Sequence, residues 1–199
     1  EEAGLPPGVI NFVPGGAAMV SDTLLADEHL AGIHFTGSTE VFQSLWQTVA
    51  GNLTRYKTYP RLVGETGGKD FVVAHRSADP AALAVALVRG AYEYQGQKCS
   101  AASRAYVPAG LWPAVRDRMV AMLKEITLGD VADFRNFLGA VIDRKAFDRI
   151  KGYLDEAKKA KGVTIVHGGK CDDSKGYFVE PTLVQVDDPK YRRMCEEIF

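Results

Sequence analysis

The feature that most constrains this chain is its alternation of short apolar runs with stretches of helical period. Val9-Ile10-Asn11-Phe12-Val13 reads as a buried strand ended by Pro14-Gly15-Gly16, Ala17 to Ala26 as a helix, and Gly32-Ile33-His34-Phe35 as a second strand. Thr36-Gly37-Ser38 then opens a helix with Phe42, Leu45, Trp46, Val49 and Leu53 at helical spacing, a stripe expected to pack into the core. Arg61-Leu62-Val63 supplies a third strand. Because neighbouring parallel strands need a helical crossover between them, this order predicts a parallel sheet.

The pattern restarts further on. Phe71-Val72-Val73 reads as a strand, and Asp79-Pro80 as a helix cap with proline at the first helical position. Leu83, Leu87, Ala91 and Tyr94 fall on one face of that helix, and Ala105-Tyr106-Val107 follows as a strand. Trp112, Val115, Met119, Met122 and Ile126 mark a long amphipathic helix, and Asp143 caps another that turns Phe147, Ile150, Leu154 and Ala157 inward. Val163-Thr164-Ile165-Val166 and Tyr177-Phe178-Val179 are late strands, and a domain boundary is expected near Gly68.

Composition narrows the partners. With 46% hydrophobic and 25% charged residues among 199, the chain can bury a real core. A formal net charge of -1 gives no broad attraction for phosphate backbones or anionic lipid, so neither nucleic acid nor membrane is expected as a partner. Three cysteines, Cys99, Cys171 and Cys195, form neither a disulfide framework nor a zinc pattern, and no metal site is expected. Both ends read as cuts, with Glu1 first and Glu196-Glu197-Ile198-Phe199 interrupted.

Two glycine-flanked segments carry the chemistry. In Gly96-Gln97-Lys98-Cys99-Ser100-Ala101 a cysteine sits between small or flexible residues that let a substrate approach, beside a lysine whose charge favours a thiolate. In Gly64-Glu65-Thr66-Gly67-Gly68-Lys69 the glycines are expected to relax the backbone and leave the Glu65 carboxylate accessible. Taken singly, a lone cysteine is as readily a small buried hydrophobe, and a glutamate beside glycines a turn residue. Together they suggest a nucleophile and its base.

With Pro7-Gly8-Val9-Ile10-Asn11-Phe12-Val13-Pro14-Gly15, Phe35-Thr36-Gly37-Ser38-Thr39 and Glu196-Glu197-Ile198-Phe199 in the same order, the chain resembles the aldehyde dehydrogenase family. Tyr94 to Ala101, His75-Arg76-Ser77-Ala78-Asp79 and Gly168 to Ser174 are most similar to its eukaryotic-type branch that oxidises glutamate gamma-semialdehyde to glutamate with NAD in proline breakdown, usually in the mitochondrial matrix. The resemblance implies an α/β fold: the C-terminal part of a Rossmann-like parallel-sheet cofactor domain (residues 1–68), then most of an α/β catalytic domain (69–199). It implies Cys99 as nucleophile and Glu65 as the base for the hydrolytic water. It further implies Thr36, Gly37, Ser38, Gly67, Glu197 and Phe199 at the cofactor, Ser100 and Lys98 at the substrate, and a homo-oligomeric parent. The Cys99 N–H is expected in the oxyanion hole, whose asparagine partner would precede residue 1. Phe42, where many members have a second glycine, and Thr66, where leucine is frequent, depart from the pattern. The 199 residues alone are expected to be inactive. A dehydrogenase for another small aldehyde, or a non-catalytic module on the same scaffold, stays open.

Overall fold

A computed structural model describes residues 2–199, which form two compact units that divide between Thr66 and Gly67. In the first unit α1 (Ala17–Ala26) precedes β1 (Gly32–Gly37), α2 (Thr39–Gly51), a 3-10 turn at Leu53–Arg55 and β2 (Arg61–Thr66). β1 and β2 pair in parallel, Gly32 opposite Arg61 through Gly37 opposite Thr66, as the strand-helix-strand order predicts. Ser38 caps α2, its hydroxyl accepting the Val41 N–H at 3.3 Å. Leu45 and Val49 of α2 join Leu25 of α1 in a core closed by Ile33, Phe35, Phe42 and Leu62. Alternate strand residues thus face the helices, and His34 and Val63 face out.

Two expectations fail here. Residues 9–13 form no strand: Ile10 and Phe12 are exposed, and within the segment only the Val9 N–H makes a backbone bond, to Pro6. A strand exists only against a partner, and no described strand lies alongside; Pro6, Pro7 and Pro14 also remove donors. The α2 stripe is narrower than its spacing suggests, because Trp46 and Leu53 are exposed while Leu45 and Val49 carry the burial.

The second unit runs β3 (Phe71–Val73), α3 (Pro80–Tyr92), a 3-10 turn (Glu93–Gly96), β4 (Arg104–Tyr106), α4 (Trp112–Glu125), α5 (Arg144–Ala157), β5 (Val163–His167), β6 (Cys171–Asp172), β7 (Phe178–Val179), β8 (Leu183–Val186) and α6 (Arg192–Cys195). β3 and β4 are parallel, whereas β5–β8 and β6–β7 are antiparallel. The Asp79 carboxylate accepts the Ala81 and Ala82 N–H groups, and Asp143 accepts that of Ala146, so both predicted caps form. The core is the α3–α4 seam, where Ala84, Leu87 and Val88 meet Val115, Met119 and Leu123. Full burial of each such branched side chain is worth about 1.5–3 kcal/mol. A second cluster, Val141, Ala146 and Phe147 with Tyr177 and Val179, fixes the start of α5 on β7. Tyr94 leaves the α3 face: the helix ends at Tyr92, and Tyr94 is exposed on the following turn.

Candidate active site

In the first unit the candidate residues gather at the carboxyl ends of the parallel strands, the edge where open α/β sheets bind ligands. Thr36 lies opposite Glu65 and Gly37 opposite Thr66, so the Thr36–Ser38 turn and Glu65 are register neighbours. Glu65 alternates outward along β2 and is exposed. At the start of α2 the Thr39 and Glu40 N–H groups meet no acceptor among the described residues, which leaves donors and the positive helix pole for an anion.

The glycines of this region clear space, contrary to the expectation that they relax the backbone around Glu65. Neither Gly64 nor Gly67 has positive φ. A Cβ on Gly64 would stand 2.3 Å from a Phe42 ring atom, and one on Gly37 would stand 2.5 Å from the Phe35 ring. Phe42 turns into the core, stacked on Phe35 with ring centroids 5.9 Å apart and lying over Gly64. A Cβ on Gly67 would lie 2.1 Å from both carboxylate oxygens of Glu197, whose Oε1 accepts the Gly68 N–H at 3.2 Å. Glu197 Oε2 accepts no hydrogen bond among the described residues. Lys69, given no role by the sequence beyond its motif, is half-buried here, and burial, with Arg104 adding, presses its ammonium below the ordinary lysine range.

Cys99 is free and exposed, one residue into a turn closed by the Ala101 N–H to the Lys98 carbonyl at 3.1 Å. Ala102 N–H donates to Gly90 O at 2.9 Å and ties the turn back to α3. The Cys99 N–H meets no acceptor among the described residues, as an oxyanion donor requires. Ser100 beside it is exposed. Lys98 does not stand free next to the thiol as its sequence position suggests: its ammonium donates to Glu93 at 2.8 Å. The Lys98 hydrogen bond first, and the Arg89 charge second, hold the Glu93 carboxyl below the usual carboxylate range.

Before this turn the chain runs through three left-handed residues, Tyr94 (φ 56°), Gln95 (φ 59°) and Gly96 (φ 70°). Such strain costs on the order of 1 kcal/mol for each non-glycine residue and persists only where surrounding contacts hold it. Here Gln95 Nε2 donates to Ala140 O at 3.0 Å and Gln97 Oε1 accepts the Ile142 N–H at 2.9 Å. The motif spacing assigns no role to either glutamine; their placement on either side of Gly96 is the signal available in the sequence. Gly68, Lys69, Lys98, Glu197 and Phe199 all line one cavity of about 590 Å³ in the second unit.

This arrangement can be set beside known proteins. The family model "Aldehyde dehydrogenase family" matches residues 1–199. The chain belongs to the aldehyde dehydrogenase family. It is 51% identical over 199 residues to a mitochondrial delta-1-pyrroline-5-carboxylate dehydrogenase of Danio rerio, covering all of this chain and 36% of that protein. It is 52% identical to the mitochondrial enzyme of that name from Homo sapiens, of which it covers 35%. The crystal structure of the Mycobacterium tuberculosis delta-pyrroline-5-carboxylate dehydrogenase superposes with a TM-score of 0.91 at 56% identity, covering 96% of this chain and 35% of that one. The same bacterial enzyme has been solved bound with NAD. The chain thus spans about a third of the length of the relatives it matches. No described helix is long and apolar enough to cross a membrane.

Proposed function

We propose that this chain carries the thiol and the base of an NAD-dependent dehydrogenase that oxidises glutamate gamma-semialdehyde to glutamate in proline breakdown, working in the mitochondrial matrix. The observation that carries the reading is identity of about half the residues, across the whole chain, to enzymes named for that reaction. The first unit serves as part of the cofactor domain and the second as part of the catalytic domain.

The residues fit the cofactor. The free N–H groups at the start of α2, beside Gly37 and Ser38, suit a pyrophosphate, and the open Oε2 of Glu197, held against Gly67, suits a ribose hydroxyl. Thr36 and Phe199 complete this set. The nicotinamide, when bound, accepts a hydride.

Cys99 as thiolate attacks the aldehyde carbonyl and forms a thiohemiacetal, whose oxyanion the open Cys99 N–H receives. Loss of hydride from the former carbonyl carbon leaves a thioester on the Cys99 sulfur. Glu65 takes a proton from water, the hydroxide adds to the thioester, and glutamate departs with the thiolate restored. Ser100 and Lys98 face the substrate carboxylate, Lys98 sharing its charge with Glu93.

The test is NADH formation by a protein that carries this chain at the relatives' full length. Glutamate gamma-semialdehyde should outperform a simple aliphatic aldehyde by at least tenfold in kcat/KM, and Cys99→Ala should abolish turnover. Equal use of both aldehydes would overturn the substrate assignment, and turnover by Cys99→Ala would overturn the mechanism. The 199 residues alone should produce no NADH; steady production would show that the rest of the relatives' length is dispensable.

A further inference from the structure

Resting on the reading of Cys99 as nucleophile, we infer that Gln97, with Gln95, is a positioning residue that clamps the Cys99 turn to the main chain at 140–142. The clamp has two points of opposite polarity. Gln95 donates to Ala140 O, and Gln97 accepts from Ile142 N–H across 45 residues of sequence. One such bond fixes a distance; two that flank Gly96 also fix the orientation of the strand of chain between them.

The direction of the constraint follows from what holds each partner. Residues 140–142 are anchored without the glutamines: Val141 is buried, its N–H donates to Tyr177 O at 2.9 Å, and Asp143, the next residue along, caps α5 through Ala146. The Cys99 side is held by bonds local to its own turn, from the Gln97 N–H to Tyr94 O, the Ala101 N–H to Lys98 O and the Lys98 ammonium to Glu93. Tyr94, Gln95 and Gly96 sit in the left-handed region, and Lys98, Cys99 and Ser100 are exposed. Gly96 is also forced, since a Cβ there would stand 2.9 Å from Ala91 O. The fixed frame is therefore α5 with β7, and the glutamines transmit it to a strained segment that would otherwise relax. Only Lys98 separates Gln97 from Cys99. On the far side the Ala102 bond to Gly90 completes the hold, so the turn presents its sulfur and open N–H in one orientation.

The test compares the chain with its Gln97→Met and Gln97→Glu variants. Methionine keeps the length and loses the acceptor; a carboxylate oxygen still accepts. Amide exchange, resolved by residue, should accelerate about tenfold in Gln97→Met at Ile142 and at residues 97 and 101, whose N–H groups donate to Tyr94 O and Lys98 O, the worth of one net hydrogen bond. Val141 and the α3–α4 core should be unchanged, and Gln97→Glu should restore the slow rate. Unaltered exchange at residues 97 and 101, or acceleration spread through the whole unit, would overturn the inference. In the unsubstituted chain the Ile142 N–H should be protected despite its exposed side chain, and fast exchange there would sink the proposal even if Gln97→Met fails to fold. Alkylation by iodoacetamide separates this inference from the reading beneath it. If Cys99 shows no preference over Cys171 and Cys195 in the unsubstituted chain, the nucleophile reading fails. If the preference is present and Gln97→Met leaves it intact while exchange is also unmoved, the clamp alone fails.

Discussion

Gly64→Ala puts the claim that Gly64 clears space for Phe42 to a quantitative test. The new Cβ would meet three Phe42 ring atoms at 2.3, 2.4 and 2.6 Å, where ordinary contact begins near 3.4 Å, so the ring must retreat by about 1 Å. It cannot do so freely, because its face is stacked within 7° of parallel on Phe35 in the small Leu25–Leu45–Val49 core. Overpacking of this kind costs about 1–3 kcal/mol. Replacing glycine also removes freedom from the unfolded chain, which offsets about 0.4–1 kcal/mol. The net expectation is a loss of about 1–2 kcal/mol confined to the first unit. Urea unfolding followed by Trp46 fluorescence in a Trp112→Phe background reads that unit alone. The deciding comparison is the same substitution in a Phe42→Leu background, where the ring is gone and the cost should fall below about 0.5 kcal/mol. Equal cost in both backgrounds would show the two sites to be uncoupled and would rule out the Phe42 ring as the source of the cost.

Further expectations concern the second unit. Asp143→Ala removes the acceptor for Ala146 N–H at 2.7 Å and should lower stability by about 0.5–2 kcal/mol in urea titration, and Asp79→Ala should act similarly at α3. Leu123→Ala, in the sealed α3–α4 seam, should cost about 2–5 kcal/mol, with the denaturant slope unchanged. Burial pushes the Cys171 thiol up, with the nearby Lys158 charge opposing. Its alkylation should therefore require more alkaline solution than in the unfolded chain. The folded state favours the protonated thiol, so the associated stability is complete below the unfolded value and is lost as pH rises through the folded one. A Cys171→Ala variant should flatten that alkaline loss, and an unchanged profile would count against the assignment.

What the sequence revealed tracks how local the determining physics is. The limits of α1 and β3, and the caps at Asp79 and Asp143, depend on spacing and on one side chain reaching its own helix, and they were legible. The segment 9–13 has the apolar content of a strand, yet strand formation depends on a neighbour that local sequence does not supply. Trp46 and Tyr94 fit a helical stripe on paper, but their burial depends on what stands opposite. The two-residue β6 strand carries too few residues for a period to show. At the site, the motifs marked Cys99, Glu65 and Glu197 as residues of interest. The meaning of the surrounding glycines was not legible, because Gly64 answers to Phe42 and Gly67 to Glu197, partners 22 and 130 residues away in sequence. The pairing of Lys98 with Glu93 likewise comes from the turn that folds residue 98 back toward residue 93.

We propose Cys99 as a nucleophile toward an aldehyde. Limiting iodoacetamide near neutral pH, run with and without glutamate gamma-semialdehyde and with the label mapped on the three cysteines by mass spectrometry, puts this role to the test. Cys99 should be labelled ahead of Cys171 and Cys195, and the semialdehyde should slow its labelling alone by forming a reversible thiohemiacetal. Even labelling of the three thiols, or a Cys99 rate indifferent to the aldehyde, would contradict it.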